Sequence, residues 1–176
     1  IGVELRYKTV VGDDLPGIME VLRTAVRRAR VIVMTGGLGP TVDDLTRDAV
    51  AKATGCRLGR RKEALEGMTA RLAQWGRSPS ASQLRQALIP AKASVVPNPV
   101  GSAPGFSLVW KGSFIDSLPG VPREMEAMVR QTVLPQVGSR LSTRSIAGLV
   151  PIVRRVFHTV GAPEADVDAA LKGAVP

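Results

Sequence analysis

A short apolar run that ends directly in a glycine-rich turn is the feature that most constrains this fold. Residues Val31–Met34 are continuously apolar, and TGGLGP follows at residues 35–40. A run of this kind is typical of a parallel strand that is buried on both faces. Asp14 can cap a helix before the strand, and a second helix is predicted over Asp43–Thr54, closed by Gly55. The sequence therefore predicts an α/β unit with a parallel sheet.

Further segments extend this pattern in both directions. The alternation over Arg6–Val11 predicts a first strand, and Lys111-Gly112 predicts a hairpin turn. The other predicted elements are helices at Arg61–Trp75 and Arg123–Val133, strands at Ser94–Val96, Phe106–Trp110 and Ser113–Ser117, and, near the end, a strand at Arg154–Val160 and a short helix at Asp166–Lys172. We expect a main domain over residues 1–135, with a linker and a partial small α/β domain over residues 136–176.

Composition excludes several classes of protein. The chain has 176 residues, of which 44% are hydrophobic, and this is enough to form a hydrophobic core. Its longest apolar stretch is interrupted by Pro151 and is too short to span a membrane. A single cysteine, Cys56, excludes an internal disulfide and a cysteine-based zinc site. With His158 as the one histidine, a histidine triad is not expected. The net charge is +9, but the basic residues are scattered along the chain and interspersed with acidic ones, and aromatic residues are few. We therefore expect no nucleic-acid partner.

Acidic residues follow two of the predicted strands. Asp43 and Asp44 come just after the glycine-rich turn, and Asp13 follows the first strand. Carboxylates at such positions either cap a helix or bind a hard cation beside a phosphate, and the pattern leaves both roles open. Since the two strands are neighbours in the predicted sheet, Asp13 and Asp44 are expected at the same edge. The turn itself is neither a Walker loop nor a dinucleotide-binding fingerprint.

Two more segments have the composition of binding loops. Leu118–Pro122 joins a predicted strand to a helix and is either a rigid turn or part of a ligand site. The segment Asn98–Gly105 is rich in proline and glycine, which suits a shaped binding loop or a plain crossover. Neither interpretation is settled by the residues alone.

Taken together, four segments resemble one known family. They are VVGDD (residues 10–14), TGGLGPTVDDLTRDAV (35–50), PNPVGSAPGF (97–106) and LPGVPREM (118–125). In this order they are similar to the CinA family, and more specifically to its N-terminal domain, which is related to the molybdopterin-binding MogA and MoaB proteins. The resemblance implies a three-layer α/β/α fold with a mostly parallel sheet, followed by a weakly defined C-terminal tail. It also implies a nucleotide or pterin phosphate bound at the glycine-rich edge.

The resemblance further implies roles for individual residues. Asp44 and Asp13 would be the catalytic carboxylates, and Asp44 and Asp43 would bind a divalent metal, Mg²⁺ or Co²⁺, with no tightly bound organic cofactor. The residues implied in substrate binding are Gly36, Gly37, Gly39, Thr46, Asn98, Gly101, Ser102 and Gly120. The implied activity is metal-dependent hydrolysis of ADP-ribose or a related nucleotide pyrophosphate.

Two alternatives remain beside that activity. One is a MogA-like role in binding or adenylylating molybdopterin, and the other is a non-catalytic nucleotide- or pterin-binding or assembly module. The family's first strand and helix, with a Gly-Thr-Glu-Leu motif, would precede Ile1, and its C-terminal amidase domain has no counterpart here, so we expect a domain truncated at both ends. We also expect a homo-oligomer and, since no signal segment is visible, a cytoplasmic location.

Overall fold

Most of the chain belongs to one α/β unit. The computed structural model describes residues 4–142, 156 and 158–172; residues 4–142 form one compact unit, and residues 156 and 158–172 belong to a second. In the first unit the helices are α1 (Leu15–Arg28), α2 (Thr46–Thr54), α3 (Lys62–Gln74), α4 (Pro122–Met128) and α5 (Leu134–Ser142). Its strands are β1 (Val31–Thr35), β2 (Leu58–Arg60), β3 (Leu88–Pro90), β4 (Ser94–Val96), β5 (Gly105–Trp110) and β6 (Ser113–Leu118). The second unit contains α6 (Glu164–Leu171).

The main sheet has four strands in the order β1-β6-β5-β4. Strands β1 and β6 pair in parallel, with Thr35 opposite Leu118 at their carboxyl ends. Strand β5 pairs antiparallel with β6, because the predicted turn at Lys111-Gly112 reverses the chain, and β4 also pairs antiparallel with β5. Both turn residues have positive φ, 50° and 81°, as a tight hairpin requires. The sheet is therefore mixed, and its parallel part is the β1–β6 pair. Strands β2 and β3, which the sequence did not suggest, form a separate antiparallel pair.

Two apolar clusters lie on opposite faces of this sheet. Alternate residues of a strand point to opposite faces, so Ile32 enters one cluster while Val31 packs against the other. The larger cluster includes Leu22 of α1, Val50 of α2 and Ala64 of α3. The smaller cluster is built mainly from α4, α5 and the turn between them. Helices on both faces of one sheet make three layers, so the α/β/α prediction is confirmed.

The helix that covers the smaller cluster contains one wide turn. Between α4 and α5, residues Val129–Val133 form a π-helical turn, in which the Leu134 amide donates to the Val129 carbonyl. The buried side chains Met128, Val133 and Val137 are spaced by five and then four residues. A π turn takes up the extra residue and keeps all three on the face that packs against the sheet. The sequence predicted the helix only as far as Val133.

The prediction of a first strand over Arg6–Val11 is wrong. These residues are exposed and form no strand, because no strand in the described part of the chain forms backbone hydrogen bonds with them. Instead, the Arg28 guanidinium lies 4.1 Å from the Tyr7 ring centroid and donates to Thr9, which holds the segment against α1. The predicted cap of α1 is confirmed, because the Gly17 amide donates to Asp14 Oδ2 at 2.8 Å.

At the C-terminal end, the short helix is confirmed as α6. Of the predicted strand at Arg154–Val160, residues 154, 155 and 157 lie outside the described residues, and residues 156 and 158–160 form no strand. Helix α5 continues through the boundary predicted between residues 135 and 136. Within the part of the chain that the structure describes, no helix has the length and apolar character needed to cross a bilayer.

Candidate functional site

Two glycine-containing turns meet where the parallel strands end. Gly36 and Gly37 follow β1 with φ of 92° and 67°, and the Gly36 amide donates to the Leu118 carbonyl at 3.0 Å. Gly120, in the turn after β6, lies so close that a Cβ there would be 3.2 Å from the Gly36 Cα. We call Gly36, Gly37 and Gly120 the glycine rim. Ligands of α/β folds bind outside the carboxyl ends of the strands, so the rim lies where a ligand is expected.

The rim depends on its glycines for space as well as for conformation. A Cβ on Gly37 would overlap the Thr46 hydroxyl, and a Cβ on Gly39 would lie 2.5 Å from Asp44 Oδ2. Thr46 is 8% exposed and packs beneath the turn. Thr46 packs against Gly37 and Gly39 packs against Asp44, so both residues help to shape the turn. Their contact with substrate stays a prediction.

The carboxylate of Asp44 organises the loop from within. Its Oδ1 accepts from the Gly39 amide at 2.8 Å, and its Oδ2 accepts from the Thr41 amide at 2.8 Å and the Thr41 hydroxyl at 2.5 Å. These bonds fold residues 39–44 into a turn, and α2 begins only at Thr46, with Leu45 as its N-cap. The predicted helix start at Asp43 is therefore wrong, although Gly55 closes the helix as expected.

Electrostatics favour the charged form of Asp44. Partial burial, the largest single influence, raises its pKa, but the bonds from Thr41 and Gly39 and the charge of Arg47 outweigh it, so the pKa lies below its ordinary value. Arg47 is 2% exposed and donates to the Leu38 carbonyl at 2.8 Å. It therefore ties α2 to the turn and places positive charge near Asp44.

The acidic residues do not form a metal cage by themselves. Asp44 already accepts three hydrogen bonds, and Asp13 and Asp43 are exposed. Among the described residues, no group of three or more histidine, cysteine or acidic side chains could hold a metal ion. A binding site for Mg²⁺ or Co²⁺ made of Asp43 and Asp44 stays a prediction, as does the catalytic pairing of Asp13 with Asp44.

A second loop, residues 97–104, is held by a different carboxylate. The Asn98 amide nitrogen donates to Glu124 at 2.7 Å and to the Ala103 carbonyl at 2.9 Å. Its Oδ1 accepts from the amides of Val100 and Gly101. The Glu124 carboxylate occupies the space that a Cβ on Gly101 would need. Glu124 lies in the first turn of α4, so this contact connects the loop to the segment that contains Gly120.

This second loop forms one wall of a cleft of about 410 Å³, whose opposite wall is α3. Three predicted binding residues, Asn98, Gly101 and Ser102, line it. The predicted residues Gly36, Gly37, Gly39, Thr46 and Gly120 do not line it and lie at or beneath the glycine rim. The structure thus separates the predicted binding residues into two groups, and the stretch from Gly120 to Glu124 touches both.

Several residues of this arrangement were missed from the sequence. Glu124, Arg71 of α3 and Arg47 all hold loops in place, Arg71 through a bond from its guanidinium to the Pro99 carbonyl. Glu124 lies within the LPGVPREM segment, which the sequence did single out. Neither arginine has a local signal, because its role depends on which loop the fold brings beside it.

Comparisons with known proteins agree with this architecture. Residues 1–139 match a family model described as a probable molybdopterin binding domain. The chain is 40% identical over 173 residues to a CinA-like protein of Geotalea uraniireducens, covering 98% of this chain and 40% of that protein. A CinA-like protein of Myxococcus xanthus is 39% identical over 171 residues, covering 97% of this chain and 40% of its own length. The chain thus spans about two fifths of the length of these relatives.

One solved structure resembles the fold closely. It is a crystal structure of the protein CinA, described as having unknown function, from Thermoplasma acidophilum. The two chains are 35% identical with a TM-score of 0.64, and the match covers 70% of this chain and 72% of the other. The resemblance inferred from the four sequence segments is therefore confirmed at the level of family and fold.

Proposed function

Because this chain belongs to the family of probable molybdopterin binding domains, we propose that it binds a nucleotide or pterin phosphate at the glycine rim and hydrolyses ADP-ribose or a related nucleotide pyrophosphate. The observation that supports the site is the approach of Gly120 to Gly36 at the carboxyl ends of β1 and β6. Without side chains, both turns allow a phosphate to reach backbone amides, and turns of this kind bind anions.

In this proposal the residues of the chain have separate tasks. The amides of Gly37 and Gly120 donate to the phosphate oxygens, while the Gly36 amide keeps its bond to the Leu118 carbonyl, and Arg47 contributes positive charge nearby. Asp44, through its bonds to Gly39 and Thr41, keeps the turn in its binding conformation. Hydrolysis adds water across one phosphoanhydride bond and releases AMP and ribose 5-phosphate. The requirement for Mg²⁺ or Co²⁺ is part of the proposal, although the described acidic residues supply no cage for either ion.

The test is ADP-ribose hydrolysis by the purified chain, read as AMP release with and without Mg²⁺ or Co²⁺. Gly120→Ala narrows the rim, and Gly59→Ala is its matched control, since a Cβ at Gly59 meets no atom within 4 Å. We expect AMP release from the wild type and the control, and a loss of at least about tenfold in Gly120→Ala. No turnover from a folded wild-type chain would contradict the hydrolytic activity.

Pterin binding is the second candidate, and the description of the matching family favours it. Under this alternative the rim holds the terminal phosphate of a pterin, and the chain either adenylylates the ligand or only binds it. Binding of molybdopterin with no AMP release from ADP-ribose supports this candidate over the first. Consumption of ATP in the presence of molybdopterin then separates adenylylation from binding alone.

The proposal also includes assembly and location. We expect a homo-oligomer, measured as mass by light scattering of the purified chain, and a cytoplasmic location, measured by fractionation of cells that express it. A monomer at micromolar concentration would contradict the first part, and recovery outside the cytoplasm would contradict the second.

A further inference from the structure

The cleft between α3 and the loop at residues 97–104 has an apolar floor and a polar rim. Ala64 and Met68 of α3 are each 1% exposed, and with buried Pro104 they form the floor. Ser94 lies at the exposed rim, and Ser102 lines the wall. At about 410 Å³ the cleft is within the size range of small-molecule sites. Two charged residues, Arg61 and Glu63, also line the cleft, so its lining suits a group with an apolar face and a polar edge.

The polar groups of the cleft differ in whether they are already bonded. Asn98 uses both its amide nitrogen and its carbonyl oxygen within its own loop and with Glu124. Its role is to shape the wall. The hydroxyls of Ser94 and Ser102 form no hydrogen bond with any other described residue, and both can donate and accept. These two hydroxyls are therefore available to a ligand.

The wall of the cleft is fixed before any ligand arrives. Glu124 holds the loop from α4 through Asn98, and Arg71 holds it from α3 through the Pro99 carbonyl. A loop held from two sides loses little conformational entropy on binding, which favours affinity. This is the arrangement expected of a binding wall rather than of a plain connection.

We propose that this cleft binds the flat nitrogen heterocycle of the ligand whose phosphate lies at the glycine rim. The inference rests on the proposed function and adds the second half of the site. The Met68 thioether and the proline rings give polarisable and flat apolar contacts to an aromatic ring. Ser94 and Ser102 bond to the ring edge. Purines and pterins share this chemistry, and the probes below distinguish them.

A short segment of the chain connects the wall of the cleft to the glycine rim. Glu124 touches the wall of the cleft at Asn98 and Gly101, and Gly120, four residues earlier, touches Gly36 of the rim. The wall of the cleft and the glycine rim are therefore joined by one five-residue segment of the chain, residues 120–124.

The decisive variant is Gly67→Leu. Gly67 lines the cleft, and a Cβ there meets no atom within 4 Å, so leucine fills the cleft without disturbing the fold. Leucine also favours a helix more than glycine does. Ala70→Leu is the matched control, because Ala70 is exposed on the same helix and does not line the cleft.

Binding is measured by calorimetry with two probes that carry no phosphate, adenosine and 6-hydroxymethylpterin. We expect the wild type and Ala70→Leu to bind at least one probe, and Gly67→Leu to lose at least about tenfold in affinity for it. Ser102→Ala should lose about three- to tenfold, as expected for one hydrogen bond. Tighter binding of adenosine identifies a purine site, and tighter binding of the pterin identifies a pterin site.

Two results would overturn the inference. One is equal affinity of Gly67→Leu and the wild type, and the other is failure of the folded wild type to bind either probe. Failure of the proposed function is seen separately, because ADP-ribose hydrolysis and its loss in Gly120→Ala do not depend on the phosphate-free probes. Adenosine binding without hydrolysis would support the cleft and contradict the pyrophosphatase.

Discussion

The turn at residues 36–44 and the loop at residues 97–104 are each organised by one carboxylate, but the two carboxylates come from different distances along the chain. Asp44 bonds to Gly39 and Thr41, five and three residues away. Glu124 bonds to Asn98, which is 26 residues away. The first turn is held by local bonds, whereas the second loop combines local bonds from Asn98 with a bond from α4 that exists only in the folded domain. We infer that the turn at residues 39–44 forms locally, whereas the contact of Gly120 with Gly36 in the glycine rim and the shape of the second loop depend on tertiary structure.

The largest effect is expected from the glycine turn itself. Gly37→Ala combines a positive φ with overlap against Thr46, and we expect it to lower the free energy of unfolding by about 2–4 kcal/mol. Gly36→Ala is the control with positive φ and open space, and we expect a loss of about 1–2 kcal/mol. Urea denaturation measures both. Equal losses in the two variants would show that Thr46 moves aside.

Removing the local carboxylate should have the next largest effect. Asp44→Ala leaves the amides of Gly39 and Thr41 without their acceptor, and we expect a loss of about 1–3 kcal/mol in urea denaturation. Amide exchange should quicken at Gly39 and Thr41 and stay unchanged at Gly101. Faster exchange at Gly101 as well would contradict the independence of the two loops.

The same carboxylate gives a pH dependence with a defined sign. The folded-state pKa of Asp44 is lowered, so its contribution to stability is complete above the pKa of the unfolded chain and is lost as the pH falls through the folded value. The stability difference between the wild type and Asp44→Asn should therefore be constant near neutral pH and shrink below about pH 4. A difference that grows on acidification would contradict this assignment.

Removal of the Glu124 carboxylate should lower the free energy of unfolding less than removal of the Asp44 carboxylate. It should also increase amide exchange in the loop at residues 97–104. Glu124→Ala removes one bond to Asn98, and we expect a loss of about 1–2 kcal/mol, with Glu124→Gln retaining part of it. Exchange should quicken at Val100 and Gly101 while Gly39 stays protected. Unchanged exchange at Gly101 would mean that the bond from Arg71 holds the loop without Glu124.

The smallest effect is expected from a substitution that removes one hydrogen bond, the bond from the Thr41 hydroxyl to Asp44. Thr41→Val removes the hydroxyl that donates to Asp44 at 2.5 Å and keeps the backbone bond, so we expect a loss of about 0.5–1.5 kcal/mol. Thr41→Ser keeps the hydroxyl and is the matched control. Denaturation curves that coincide for valine and serine would show that the backbone bond alone defines the turn.

This contrast explains what could be predicted from the sequence. The strand after Arg30, the cap at Asp14, the hairpin at Lys111-Gly112 and the helix end at Gly55 depend on neighbours in the chain, and each is confirmed. The predicted burial of this strand on both faces is wrong, because only Ile32 among the residues of β1 is buried and Val33 is 45% exposed. The helix start at Asp43 was placed too early, because the carboxylate of Asp44 turns back to the loop instead of capping α2. The residues around Asp44 are compatible both with a cap of α2 and with a carboxylate that bonds to the loop, and the pattern alone could not separate the two roles.

Errors and omissions elsewhere have a common physical cause. Arg6–Val11 alternates as a strand should, but alternation says nothing of whether a neighbour is present to pair with it. The side chains Glu124 and Arg71 look like ordinary surface charges in the sequence, and only the packing of α3 and α4 brings them to the second loop. The predicted residues Asn98, Gly101 and Ser102 do line the cleft, but the side chains that hold their loop in place could not be predicted from the sequence.

The wide turn at Val129–Val133 links helix length to the identity of one residue. Deleting one residue there would leave Met128 and Val133 four positions apart, a spacing that a regular α-helix also keeps on one face. Pro135, however, would then lie inside a regular helix, where its ring clashes with the carbonyl four residues before it. A shortened version of this helix is therefore compatible with the fold only if Pro135 is replaced at the same time.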